Sequence, residues 1–169
     1  MSISKGGQSV KPYVGSKEVK EAYVGSHLVY RAVPPYKYYF LGAENDYIID
    51  NSVISLSDKR ATIAKDGGIY RIVLTTESYG NPGHVRVNLT NTTFTFIARV
   101  QSDIVNPSIT INMYKGNTYN EASSYRVNCP SSYTLFTVNI PQYIDNVRIA
   151  HNSGTSCTTY VDAIKSDLK

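Results

Sequence analysis

The sequence predicts an all-β chain: a small N-terminal three-stranded β-meander followed by a larger body of short antiparallel strands. Three observations carry this. Val, Ile, Thr, Tyr and Ser dominate the composition, and these residues suit a pleated, half-buried surface better than a helix. About ten short runs alternate apolar and polar residues between turn signals, the spacing of a sandwich or barrel. No stretch of useful length carries an apolar stripe at the helical period.

The opening residues, Met1 to Gln8, are small and polar and are expected to move freely. Residues 11–30 read KPYVGSKEVKEAYVGSHLVY and hold one ten-residue unit written twice. Tyr13-Val14-Gly15-Ser16 recurs as Tyr23-Val24-Gly25-Ser26, and Val19 recurs as Val29. Each Gly-Ser ends one β-prone run and begins another, and Gly first in a two-residue loop accepts the positive φ of a type II′ turn. The predicted strands are Val10 to Val14, Lys17 to Val24 and His27 to Tyr30. A meander this short has too little core to stand alone. It reads as a docking element, with those eight Tyr-Val-Gly-Ser residues at its centre.

Arg31 to Pro35 (RAVPP) reads as a linker, because a proline pair cannot continue a central strand. The expected organisation is therefore residues 1–33 as a docking arm and 34–169 as the body. In the body, Tyr38 to Leu41 is a short apolar strand ending at Gly42. Tyr47 to Leu56 is one bent strand or two short ones. Arg60 to Lys65 leads to the turn Asp66-Gly67-Gly68. Ile69 to Thr75 alternates, with Tyr70, Ile72 and Leu74 on one face. After the Gly80-Asn81-Pro82-Gly83 turn comes a short strand, His84 to Leu89. Thr93 to Gln101 places Phe94, Phe96, Ala98 and Val100 on one face. Ile109, Ile111 and Met113 repeat that pattern up to Lys115-Gly116-Asn117. Tyr133 to Ile140, Asn146 to His151 and Cys157 to Ile164 are three more strands. One polar face per strand argues for antiparallel pairing, while the periodicity does not choose between sandwich and barrel.

Charge and motifs exclude several functions. The net charge is +4, and residues 1–31 carry five Lys/Arg against two Glu. That is too diffuse for a nucleic-acid stripe. No apolar h-region or membrane-length apolar run is present, so neither a signal peptide nor membrane insertion is expected. Cys129 and Cys157 have no metal spacing and are expected to be thiols. There is no G-x-S-x-G, H-E-x-x-H or P-loop. The run from His151 to Cys157 brings a His, two Ser and a Cys together but reads as a hairpin loop. The acid pairs Asp46/Asp50 and Asp162/Asp167 are not marked above surface carboxylates. No enzymatic activity is predicted.

Two resemblances add to this reading. SISKGG followed by VKPYVGSKEVKEAYVGSHLVY resembles the N-terminal segment of structural proteins of tailed bacteriophages and prophages. Gly67-Gly68-Ile69-Tyr70-Arg71-Ile72, with Asn146-Val147-Arg148-Ile149 and Thr159-Tyr160-Val161-Asp162-Ala163-Ile164, resembles carbohydrate-binding modules of the galactose-binding-like kind. The second resemblance implies an antiparallel β-sandwich, the jelly roll. It also implies a structural Ca²⁺ site formed by Asp162 and an acid near the first strand, Glu44 or Asp46. Asp162 shares strand parity with Ile164 and is expected to point inward with it; a buried carboxylate must then be paired, hydrogen-bonded or metal-bound. No other cofactor is expected.

Tyrosine offers an apolar ring face for a sugar and a hydroxyl to orient it. Tyr79, Tyr114, Tyr119, Tyr125 and Tyr143 lie in or beside predicted loops and are the candidate glycan-binding residues of a Trp-free chain. The first functional expectation is a non-enzymatic virion protein, as a head-decoration, fibre or tail-associated part. It would be assembled in a bacterial cytoplasm, dock through its meander on other virion proteins as a homo-oligomer, and display a sandwich to host-surface glycan. The alternatives are a stand-alone carbohydrate-binding module and a glycan-degrading enzyme.

Overall fold

A computed structural model describes the backbone of residues 4–5, 8–9, 13–14, 17–18, 21–24 and 27–31. It also describes residues 36–44, 47–76, 82–102, 106–151 and 157–167, the side chains of 121, 122 and 167 apart. The chain falls into two compact units, Met1–Pro35 and Tyr36–Lys169.

The first unit corrects the predicted meander. β1 (Ser4–Lys5) pairs with β2 (Gln8–Ser9), β3 (Tyr13–Val14) with β4 (Lys17–Glu18), and β5 (Glu21–Val24) with β6 (His27–Arg31). Each pair is its own antiparallel two-stranded sheet. The predicted middle strand, Lys17 to Val24, is therefore two strands, one pairing backward and one forward. The stretch expected to move freely holds the first hairpin. Lys5 pairs with Gln8, Val14 with Lys17 and Val24 with His27; the last two pairs are offset by the ten residues of the repeat and the first by nine. Gly15, Ser16, Gly25 and Ser26 of the predicted docking set lie outside the described residues.

The second unit is a sandwich of two antiparallel sheets with no helix among the described residues. Its strands are β7 (Tyr36–Gly42), β8 (Tyr47–Ile49), β9 (Ile54–Leu56), β10 (Ala61–Asp66), β11 (Ile69–Thr76), β12 (His84–Val87), β13 (Thr92–Gln101), β14 (Ser108–Lys115), β15 (Thr118–Asn128), β16 (Thr134–Ile140), β17 (Asn146–His151) and β18 (Cys157–Asp167). One sheet runs β10-β11-β18-β13-β16, with β7 beside β18 and β8 beside β7; the other runs β15-β14-β17-β12-β9. The long strand β18 is the hub of the first sheet. One flank pairs with β13, and the other pairs with β11 and then β7.

Alternation builds the core. Phe94, Phe96, Ala98 and Val100 of β13 are fully buried, as their period-two spacing predicts, and face Val85, Val87, Ile109, Ile111 and Ile149 of the opposite sheet within one cluster. Burial of each large side chain in this layer stabilises the fold by about 1.5–3 kcal/mol. The rings of Phe96 and Phe136 stack at 5.0 Å, extending the core to the β16 edge. Burial pushes the Cys129 thiol up to about 12, so it packs as a small apolar group.

Candidate functional site

Because Ile109, Ile111 and Met113 point inward, Asn112 and Tyr114 point outward. The same alternation turns Arg86 out between Val85 and Val87, and Arg148 out between Val147 and Ile149. Register then lines these residues up. Ser55, Arg86, Arg148 and Asn112 form one rung across the outer face of the five-stranded sheet. His84, Ala150, Thr110 and Arg126 form the next. Tyr114 lies opposite Tyr119 across the β14–β15 hairpin, their ring centres 5.4 Å apart.

Two hollows flank the Tyr114–Tyr119 pair. One, of about 330 Å³, is lined by Arg60, Pro82, His84, Asn112, Tyr114, Arg148 and Ala150. The other, of about 580 Å³, is lined by Lys115, Thr118, Tyr119, Asn120 and Tyr143. The Tyr119 hydroxyl donates to Asn112 Oδ1 at 3.4 Å, so the tyrosine pair sits between the two hollows.

Local structure holds the walls in place. Gly116, at φ +58, opens the two-residue turn between β14 and β15, a conformation that favours glycine. Its N–H donates to both Asp145 carboxylate oxygens at 2.8 and 3.0 Å, and Asn146 Nδ2 donates to the Gly116 carbonyl at 3.1 Å. These bonds tie the hairpin tip carrying Tyr119 to the 141–145 segment carrying Tyr143. At the other end, Gly83 passes so close to the Arg60 carbonyl that no Cβ fits, which brings Pro82 and His84 beside Arg60.

The electrostatics of this face are one-sided. Arg148 lies 4.0 Å from the centre of the Tyr114 ring and donates to its hydroxyl at 3.4 Å. Burial holds His84 below its usual range, and the charges of Arg148 and Arg86 push it further down. Arg60 is already claimed by Asp58, whose carboxyl its guanidinium and the Arg60 N–H hold down to about 2.

The predicted tyrosines thus divide. Tyr114, Tyr119 and Tyr143 come together on this face, but the guanidinium of Arg148 lies over Tyr114. The rings left open to a ligand are Tyr119 and Tyr143, 44% and 51% exposed. Tyr125, 37% exposed, is paired with inward-facing Ile111 and lines neither hollow; partial burial raises its hydroxyl pKa. Tyr79 lies outside the described residues. Sequence reasoning missed Arg86, Asn112, Arg126 and Arg148. Alternation marks Arg86, Asn112 and Arg148 as outward-facing, but only the register makes them neighbours and brings Arg126 beside them.

The inward expectation for Asp162 is corrected. Ala98 pairs with Val161 and Ile97 with Ala163, so Asp162 is the extra residue of a β-bulge. The bulge breaks the parity with Ile164 and turns Asp162 to the outer face, half-exposed, with its Oδ1 3.4 Å from Arg71 Nε. This contact is ionic without hydrogen-bond geometry, since Arg71 Nε lacks a hydrogen-bond partner. Asp66 completes the cluster, accepting from Arg99 Nη2 at 2.7 Å and lying 3.3 Å from Arg71 Nη1. The resemblance to carbohydrate-binding modules implies calcium here, and the residues do not fit it. A guanidinium occupies the carboxylate, Glu44 is exposed, Asp46 lies outside the described residues, and no group of three metal-ligating side chains forms among those described.

No protein-family model and no curated protein matches the sequence. Solved structures do resemble the fold. A family 29 carbohydrate-binding module matches with a TM-score of 0.55 at 9% identity, over 78% of this chain and 86% of its own. A variant of the module CBM29-2 solved with cellulohexaose matches at 0.51 and 12% identity, over 78% and 89%. The module CBM29_1 of Piromyces equi matches at 0.51 and 12%, over 79% and 90%. At these identities the likeness is one of fold: the chain has the two-sheet antiparallel sandwich of family 29 carbohydrate-binding modules.

Proposed function

We propose that the protein is a non-catalytic glycan-binding module and that the outer face of the five-stranded sheet is its binding face. The observation that carries this is the pair of open rings, Tyr119 and Tyr143, on one hollow with Asn120, Thr118 and Lys115. Ring faces take the apolar side of a sugar, and the neighbouring amide and hydroxyl groups orient its hydroxyls. The sandwich shared with carbohydrate-binding modules supports the reading by analogy of fold. A glycan array followed by calorimetric titration of the best binder tests it. Tyr119→Ala and Tyr143→Ala should each weaken binding about tenfold or more, with the fold retained by circular dichroism; an array with no binder sinks the proposal. Glycan cleavage by the intact protein would overturn the non-catalytic part.

The N-terminal unit supports a second, compatible reading. Three successive hairpins in a separate compact unit suit an attachment arm whose strand edges add to a partner's sheet. Under this reading the arm fixes the module on a tailed-phage particle, several copies together, and raises avidity for a repetitive surface. Deleting residues 1–35 should leave sugar binding unchanged and abolish incorporation into particles; incorporation of the truncated chain would reject the reading.

A further inference from the structure

We infer that the saccharide taken by this face is acidic, carrying ring carboxylates, and that Arg148 and Arg86 select it. The inference rests on the glycan-binding reading and adds the ligand's charge.

Arg86 and Arg148 stand directly opposite each other in one rung, and Arg126 lies in the next. Like charges placed opposite on a sheet face destabilise it, so a pair kept there needs a compensating anion. Among the described residues none supplies one. Asp58 is engaged by Arg60, and Asp145 accepts the Gly116 N–H and an Asn146 N–H. The described ion pairs include none to Arg86, Arg126 or Arg148. By contrast, the arginines of the opposite sheet, buried Arg71 and partly exposed Arg99, are matched by Asp66 and Asp162. The two faces are thus built differently, one neutralised within the chain and one left positive.

Arg148 is also pre-organised. Its ring contact with Tyr114 at 4.0 Å and its Nη1 bond to the Tyr114 hydroxyl hold the guanidinium plane. A planar fork held beside an open hollow suits a carboxylate, which guanidinium binds through paired N–H donors. Tyr114, beneath the Arg148 guanidinium, packs 5.4 Å from Tyr119 of the second hollow, so one sugar unit can stack there while the next places its carboxylate on Arg148.

The test is titration of the full-length protein with hexuronate- and sialic-acid-containing oligosaccharides, each beside its carboxyl-reduced counterpart. The acidic form should bind at least tenfold tighter, and raising salt from about 50 to 500 mM should erode that preference, because screening acts on the charged contact. Arg148→Gln and Arg86→Gln should remove the preference, while Tyr119→Ala should weaken acidic and reduced sugars alike. Should Arg148→Gln unfold the chain, half-exposed Arg86 carries the test. Equal binding of acidic and reduced sugars, unaffected by Arg86→Gln, overturns the charge assignment and leaves the glycan reading standing. Preference for sulfated over carboxylated sugars overturns the carboxylate assignment. Absence of binding to either form overturns this inference, and an array without any binder overturns the reading beneath it.

Discussion

Cys157 Sγ lies 2.7 Å from Nε2 of His151, and the contact ties the start of β18 in one sheet to the end of β17 in the other. Both side chains are buried. Cys157→Ala strips the imidazole of this partner and leaves a small void. Unfolding by urea should show a loss of about 1–3 kcal/mol, the range for orphaning a buried polar group. An unchanged midpoint would mean that the contact carries no weight.

Stability should also fall with pH below neutrality. Burial holds His151 and His84 below their usual range in the folded chain. Their folded pKa values therefore lie under the unfolded value near 6.5, and the unfolded state takes up protons first. The stabilisation is complete above about pH 6.5 and is lost as pH falls from there through the folded pKa values. Urea midpoints at pH 7.5, 6 and 5 should decline in that order, and the His84→Gln variant should show a shallower decline.

The Arg71–Asp66–Arg99 cluster predicts a different mutant. Arg71 has only 9% of its side chain exposed, and Asp66 touches both arginines. Asp66→Asn leaves a buried guanidinium short of countercharge, and the cost should be about 1–3 kcal/mol, moderated because the Asp66 side chain is 30% exposed. Arg86→Gln on the opposite sheet should cost nothing or stabilise slightly, since it relieves a like-charge pair. Thermal melts should show the midpoint lowered by Asp66→Asn and unchanged or raised by Arg86→Gln.

Gly83→Ala should be costly although alanine is small. The new methyl has nowhere to go but the Arg60 carbonyl, which is backbone and holds the Thr75 N–H at 2.8 Å. A loss of about 2–4 kcal/mol is expected, with weakened sugar binding because Pro82 and His84 line the first hollow. Normal stability together with normal binding would contradict the packing described.

What the sequence revealed depended on how far apart the deciding residues lie. Phe94, Phe96, Ala98 and Val100 announce their strand and its inner face, because period-two alternation is a local signal. β15 was unreadable for the opposite reason. TYNEASSYRVN is a polar edge strand whose pairing with β14 shifts between Ile111 and Met113, so no alternation survives and its tyrosines pass for loop residues. Asp162 failed through a single added residue, since a bulge is invisible to parity counting. The ten-residue repeat is matched by the pairs Val14–Lys17 and Val24–His27, but it did not show that each strand would use one partner at a time. The cationic rung needed the registers of β12, β17 and β14 together, a long-range fact that no window of sequence contains.

The position of β18 as hub has a consequence for synthesis. A ribosome delivers this strand after β7, β11 and β13, all of which it joins. Until it emerges, three nascent strands hold open edges with no permanent neighbour, a condition that invites pairing between chains on adjacent ribosomes. Folding of this sheet is therefore gated by translation of its final segment, and a transcript cut short just before Cys157 should yield aggregates rather than a smaller sandwich.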